Sequence, residues 1–312
     1  MKHFSGSTET LQTTNEVVTP SKKPEGFFNR HATKISLLMI TSSLAFTAHN
    51  LTKYNDSYDK VFGPCDPVDE ATVQEYTNEI KTIYDDTLQF KENRDELMSD
   101  LMDVIDHDGL QVTISDDTSE SDFITASINR SIRYLPAQYI DASGVKEVVV
   151  TDLNKGIEAD RSAVWIQRGF HNPVSSEKIY IDTNYVIEGD RGDITRTLSH
   201  EIGHAAMLKL CGGYNPPEQF TDANPSDFEY GNPANEGHIE ASRYGEKNER
   251  EAIVEMMSSV TDILGSDNKY QLANRLAKGD PIAERKVAVT AALLDKLSPG
   301  LGKTTMLYMR FD

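Results

Sequence analysis

The five residues His200-Glu201-Ile202-Gly203-His204 constrain this chain more than any other stretch. Residues four apart lie on one face of an α-helix, so His200 and His204 can hold one metal ion together. Glu201 is turned about one residue away from that face, where it can take a proton from a metal-bound water. The motif therefore predicts a helical metal site, and it requires a helix, a third ligand and a place for a substrate.

The sequence around the motif predicts the helix. Asp193 is expected to cap its start, and Gly212 and Gly213 are expected to end it. Between them runs an apolar stripe that can face a core, formed by Ile194, Leu198, Ile202 and Ala205. The two histidines would then lie four residues apart on a helix of about five turns.

A catalytic zinc ion takes three protein ligands and keeps one position open for water. The metzincin pattern would place a glycine and a histidine three and six residues after His204. Met207 and Leu210 stand there, so that pattern is excluded. A carboxylate from a second helix is the remaining common third ligand.

The best candidates for this carboxylate are Glu251 and Glu255. They are four residues apart, and Glu255 lies within an apolar run that should pack inwards. A lone buried carboxylate is costly, so it needs a metal ion, a histidine or an arginine beside it. One glutamate would bind zinc and the other would hydrogen-bond a ligand histidine. The alternative is two acids that face solvent on an amphipathic helix.

His200 to His204 followed by Glu251-Ala252-Ile253-Val254-Glu255 resembles the gluzincin metallopeptidases, and locally the catalytic domain of anthrax lethal factor. The resemblance covers roughly residues 178 to 260. It implies an α+β, zincin-like fold with Glu251 as the zinc ligand. It also implies a tyrosine seven residues before that ligand, near the scissile carbonyl, and Tyr244 occupies this position.

We therefore expect a zinc-dependent metalloendopeptidase in which Glu201 is the general base, Tyr244 stabilises the oxyanion and Glu255 supports a ligand histidine. The strand predicted at 178–182 would be the sheet edge along which a peptide substrate pairs. Two alternatives stay open. One is a catalytically inactive zinc-binding or toxin-like interaction module of the same fold. The other is a helical structural protein in which the motif arose by chance.

The remaining pattern predicts three regions. Residues 1–50 are expected to be disordered, with a signal-like apolar segment at 35–46. Residues 66–110 are expected to form a helical hairpin whose first helix is capped by Asp66. Residues 111–312 would form the zincin-like domain: a small mixed sheet, the active-site helix and a helical C-terminal part.

Within that domain, strands are predicted at 147–151, 163–166 and 178–182, with a turn containing Asn184 and Gly189 after the last. Helices are predicted at 248–264 and from Pro281 to about Leu297. The polar connection 212–247 is either a lid or substrate-binding loop, or a surface excursion.

Composition bears on partners and compartment. The net charge of −19 argues against nucleic acid and leaves a protein or peptide as the expected partner. The apolar segment favours a secreted or membrane-anchored protein, with transient membrane association through 35–46, while a cytoplasmic location stays open. Cys65 and Cys211 can either pair or remain free thiols.

Overall fold

The computed structural model describes residues 65–85, 110–115, 119–153, 169–171, 177–189, 191–232, 240–263 and 267–309. All of them belong to one compact unit, Tyr58–Asp312. Four predictions lie outside the described residues: the disordered N-terminus, the apolar segment 35–46, the second helix of the hairpin and the strand 163–166.

The described part is an α+β structure, mostly helical, with one small sheet. Its strands are β1 (Gln111–Ile114), β2 (Glu147–Thr151), β3 (Gly169–His171) and β4 (Lys178–Asp182). Its helices are α1 (Glu70–Asp85), α2 (Ser121–Ile132), α3 (Ala137–Ser143), α4 (Thr183–Glu188), α5 (Arg191–Cys211), α6 (Glu218–Thr221), α7 (Glu249–Thr261), α8 (Asp267–Leu276), α9 (Pro281–Leu297) and α10 (Leu301–Met309). A 3-10 turn, Gly245–Lys247, precedes α7.

The sheet has the strand order β1-β2-β4-β3. The pairs β1–β2 and β2–β4 are parallel, and β3 runs antiparallel to β4. The β-branched side chains that favour strands fill its inner positions, and the buried ones include Val148, Val150, Ile179 and Ile181. The predicted class, α+β with a small mixed sheet, is confirmed.

The strand at 178–182 is not the sheet edge, contrary to our expectation. It lies between β2 and β3, so β3 is the outer strand on this side of the described sheet. The prediction was wrong because β3 spans only Gly169 to His171, too short to show an alternating pattern. The turn expected after 182 is instead α4, which Asp182 caps by accepting a hydrogen bond from the backbone N–H of Tyr185.

Helix α5 carries the H-E-x-x-H residues and packs against the sheet through β3 and β4. Its predicted apolar stripe is buried, and it ends as predicted at Gly212, whose φ of +67° suits a residue without a side chain. It begins at Arg191, so Asp193 lies inside its first turn and is not the cap. There the negative charge of Asp193 suits the helix dipole.

Helices α7 and α9 begin where the sequence predicts. Asn248 accepts a hydrogen bond from the backbone N–H of Glu251, and Asp280 caps α9 in the same way. Helix α7 ends at Thr261, three residues earlier than predicted. Helix α1 begins at Glu70 rather than beside Asp66, and the side chain of Asp69 accepts from the backbone N–H of Thr72.

The C-terminal helices enclose the apolar core behind α5. Helix α9 packs against α1, α7 and α10, and its central residues are buried on every face. The connection 212–247 contributes the short helix α6, whose Phe220 is fully buried.

Cys65 and Cys211 form a disulfide, which ties the segment before α1 to the end of α5. No helix among the described residues is long and apolar enough to cross a membrane.

A fully buried ion pair joins the connection to α9. The Nζ of Lys286 donates to Oε1 of Glu240, and neither side chain is exposed to solvent. The hydroxyl of Tyr230 donates to the same oxygen, at 2.8 Å. Burial lowers the pKa of Lys286, which the carboxylate of Glu240 opposes.

Replacing only one member of this pair should therefore be strongly destabilising. We expect Lys286→Met to lower the free energy of unfolding by about 3–5 kcal/mol, because it leaves a buried carboxylate unpaired. The double variant Lys286→Met/Glu240→Gln should recover most of that loss. Urea unfolding measures both, with Lys296→Met as the exposed control on the same helix. Equal stability of Lys286→Met and Lys296→Met would contradict this account.

Candidate metal centre

Two histidines and one carboxylate converge where α5 crosses α7. Oε2 of Glu251 lies 3.1 Å from Nε2 of His200 and 3.6 Å from Nε2 of His204. One ligand atom from each of these three residues can be chosen so that all lie within 4.8 Å of one another. This is the only such group of histidine, cysteine or acidic residues in the described part of the chain.

The convergence depends on close packing of the two helices. A Cβ at Gly203 would lie 2.9 Å from Cγ1 of Val254 and 3.1 Å from the hydroxyl of Tyr139. Any larger residue at 203 would force the helices apart, and the Glu251 carboxylate would move away from the imidazoles. The central glycine of the motif is therefore a packing requirement in this fold.

The donor set fits a metal ion. Oε2 of Glu251 is buried and accepts no hydrogen bond of good geometry from any described residue, although two imidazole nitrogens lie beside it. A buried acceptor without a donor costs free energy, and a cation at the point of convergence would remove that cost. Two imidazoles and a carboxylate are also a common protein donor set for catalytic zinc.

Glu255 supports His200 from the side away from Glu251. Its Oε1 lies 2.8 Å from Nδ1 of His200, so Nδ1–H donates to it and Nε2 is left facing Glu251. Its Oε2 accepts from Arg196 at 2.8 Å, from Ser242 at 2.5 Å and from Asn268 at 3.0 Å. The buried carboxylate is thus saturated with donors, in the position predicted for it.

The electrostatics of the site favour positive charge between these carboxylates. Burial alone would lower the pKa of His200, but interaction with Glu251 and Glu255 outweighs it and raises the pKa to about 10. Burial would raise the pKa of both glutamates. The imidazoles hold the pKa of Glu251 far below its usual range, and His200 and Arg196 hold that of Glu255 at about 2. The same field attracts a proton or a metal ion.

Glu201 lies on the β3 side of the site. The backbone N–H of His171 donates to its carboxylate. A Cβ at Gly169 would be 2.6 Å from Oε1 of Glu201, so any other residue there would displace this carboxylate from its present position. Burial raises the pKa of Glu201, and the nearby histidines only partly offset it. A carboxylate with a raised pKa is a stronger base than an exposed one.

Tyr244 lies beside the candidate ligand His200. Its ring centroid is 5.6 Å from that of His200, and its side chain is 39% exposed, so a bound molecule could reach it. The ammonium group of Lys247 lies 3.9 Å from the ring centroid. Burial, and then Glu251, raises the pKa of Tyr244, so the phenol keeps its proton at neutral pH. The turn is held by the Ser242 hydroxyl, which accepts from the backbone N–H of Gly245.

The structure thus brings together all six predicted residues: His200, Glu201, His204, Tyr244, Glu251 and Glu255. It also adds neighbours that sequence reasoning missed, namely Gly169, His171, Arg196, Tyr214, Ser242 and Asn268. Each missed residue reaches the site through a contact distant in sequence. Only Arg196, one helical turn before His200, carried a usable signal, because a buried acid was expected to need an arginine.

Comparison with known proteins adds no assignment, because no protein family, curated protein or solved structure matches this chain.

The contact between Glu255 and His200 predicts the strength of metal binding. Glu255→Gln removes the charged acceptor that orients the imidazole and replaces the carboxylate partner of Arg196 by a neutral amide. We expect the zinc dissociation constant to rise about 10- to 100-fold, measured by competition with a chromophoric chelator. Glu249→Gln, an exposed acid on the same helix, is the matched control and should bind zinc as tightly as the wild type. Equal affinities of both variants would remove Glu255 from the site.

Proposed function

We propose that this protein is a zinc-dependent metalloendopeptidase. The observation that carries the proposal is the convergence of His200, His204 and Glu251 on one point, with the buried Glu201 carboxylate beside it. A binding module would need the three ligands, but it would have no use for a base held at this point.

The three ligands have defined tasks in this proposal. His200 and His204 would bind the ion through Nε2, and Glu251 would bind it through a carboxylate oxygen. When bound, zinc lowers the pKa of a coordinated water and polarises the substrate carbonyl. Glu255 would keep Nε2 of His200 free to bind the ion, because its Oε1 accepts a hydrogen bond from Nδ1–H.

Glu201 is the proton carrier. As a water oxygen attacks the peptide carbonyl carbon, the Glu201 carboxylate takes a proton from that water. It then gives the proton to the peptide nitrogen, the carbon–nitrogen bond breaks, and an amine and a carboxylic acid leave. The hydrogen bond from the backbone N–H of His171 fixes the carboxylate, and burial raises its pKa towards the range in which it both accepts and returns a proton.

Tyr244 is the donor to the oxyanion. Its phenol stays protonated at neutral pH, so it can donate a hydrogen bond to the carbonyl oxygen as negative charge develops there. Tyr244 and Glu201 come from different elements, and the carbonyl would be bound between them. Lys247 over the ring and the Ser242–Gly245 contact limit the positions that the phenol can take.

The substrate is a protein or peptide in this proposal. Strand β3 runs past Glu201, so an extended peptide along it would place its carbonyl near the base. The acidic chain excludes nucleic acid as an expected partner. The Cys65–Cys211 disulfide supports a secreted or membrane-anchored location, because such bonds persist in oxidising compartments.

Removing the base should separate metal binding from hydrolysis. We expect Glu201→Gln to bind zinc with the affinity of the wild type and to lower kcat against a peptide library by at least about 100-fold. Zinc content and cleavage are measured on the same preparation, with a chelator-treated wild type as the blank. If wild type and Glu201→Gln both bind zinc and neither cleaves any peptide, the protein is a catalytically inactive zinc-binding module and the proposal of an enzyme is wrong.

Removing the phenol should affect turnover alone. We expect Tyr244→Phe to lower kcat about 10- to 1,000-fold with little change in KM, because the lost hydrogen bond forms mainly in the transition state. Tyr270→Phe is the control, since this tyrosine lies on α8 and is 65% exposed. An unchanged kcat in zinc-loaded Tyr244→Phe would exclude the phenol from the reaction.

A further inference from the structure

The two ligand histidines are held in place in different ways. Nδ1 of His200 is hydrogen-bonded to Glu255 at 2.8 Å, which fixes the ring. Within the described residues, the rings in contact with His204 are those of His200, with centroids 4.8 Å apart, and Tyr214, at 5.4 Å. The planes of Tyr214 and His204 are inclined by 84°, so one ring presents its edge to the face of the other.

Tyr214 is itself anchored at its far end. Its hydroxyl lies 3.2 Å from Nδ1 of His171, and the two rings meet edge to face at 6.2 Å. His171 is only 5% exposed and lies on β3, two residues after Gly169, the strand position that packs against Glu201. The phenol therefore spans from the outer strand to the second ligand histidine and cannot rotate freely.

The backbone that carries Tyr214 is tied down on both sides. The residue three positions earlier, Cys211, is bonded to Cys65. The next residue, Asn215, accepts at its carbonyl oxygen from the backbone N–H of Cys65 at 3.3 Å. Its side-chain oxygen accepts from Nε of Arg250 at 3.0 Å, and Arg250 directly precedes the ligand Glu251. The short segment after α5 is thus fixed to the helix that supplies the third ligand.

We propose that Tyr214 is a positioning residue that holds the His204 imidazole in the orientation needed for metal binding, the task that Glu255 performs for His200. This inference rests on the metal site of the proposed function. Tyr214 acts through packing: its ring blocks rotation of the imidazole, and the hydroxyl bond to His171 keeps the ring there. The His204 side chain then loses its conformational entropy during folding, so metal binding does not have to order it.

Zinc affinity tests this role without reference to catalysis. Tyr214→Leu removes the ring edge, and we expect the zinc dissociation constant to rise about 10- to 100-fold. The absorption spectrum of the Co²⁺-substituted protein should change with it, because the spectrum reports the geometry of the ligands. Tyr214→Phe keeps the ring and loses only the hydroxyl, so its zinc affinity should lie between those of wild type and Tyr214→Leu.

Two controls keep the result unambiguous. Tyr270→Leu removes an exposed tyrosine of α8 and should leave the dissociation constant and the Co²⁺ spectrum unchanged. Thermal unfolding of the metal-free variants shows whether each is folded, and Tyr214→Met, with a flexible apolar side chain, replaces Tyr214→Leu if the latter does not fold.

The outcomes separate this inference from the proposed function. Wild-type affinity together with a wild-type Co²⁺ spectrum in folded Tyr214→Leu or Tyr214→Met would overturn the role of Tyr214 and leave the zinc site standing. An equal loss of affinity in Tyr270→Leu would also overturn it, because the effect would then be a general destabilisation. Failure of the wild type to bind zinc would instead overturn the proposed function itself.

Discussion

The site depends on the close contact between α5 and α7 at Gly203. Val254 packs where a side chain at that position would stand, and this approach brings Glu251 and Glu255 up to the histidines. Without α7, the sheet and α5 would place the two imidazoles on one helix face, and no carboxylate would lie opposite them. The third candidate ligand, Glu251, and the support of His200, Glu255, both come from α7, so the packing distance between the two helices decides whether the three candidate ligands converge.

Charge balance is the second constraint, and it explains why the carboxylates differ in their surroundings. Glu255 accepts four hydrogen bonds, from His200, Arg196, Ser242 and Asn268, and its charge is thereby met by the protein. Oε2 of Glu251 is buried and, among the described residues, accepts no hydrogen bond of good geometry. The two acids lie four residues apart on one helix but differ in their surroundings. The charge of Glu255 is balanced by protein donors, whereas a cation could balance that of Glu251.

The site could be predicted from the sequence to the extent that it is local. The histidine spacing, the starts of α7 and α9 and the burial of Glu255 follow from helical periodicity and capping chemistry, and the structure has them as predicted. What could not be predicted depends on contacts distant in sequence. Strand β3 has three residues and no pattern, so its place beside Glu201, and the error over the strand 178–182, became visible only in the assembled sheet. The disulfide was one of two open alternatives, because spacing cannot show that Cys65 and Cys211 meet.

The central claim is that His200, His204 and Glu251 together hold one zinc ion. The zinc content of the purified protein, measured by atomic emission after dialysis against metal-free buffer, tests it most directly when wild type is compared with Glu251→Ala. The account predicts about one zinc ion per chain for wild type and a large loss of zinc in the variant, because a site of three protein ligands is reduced to two. A wild-type chain without zinc, or a variant that retains the full amount, would contradict it.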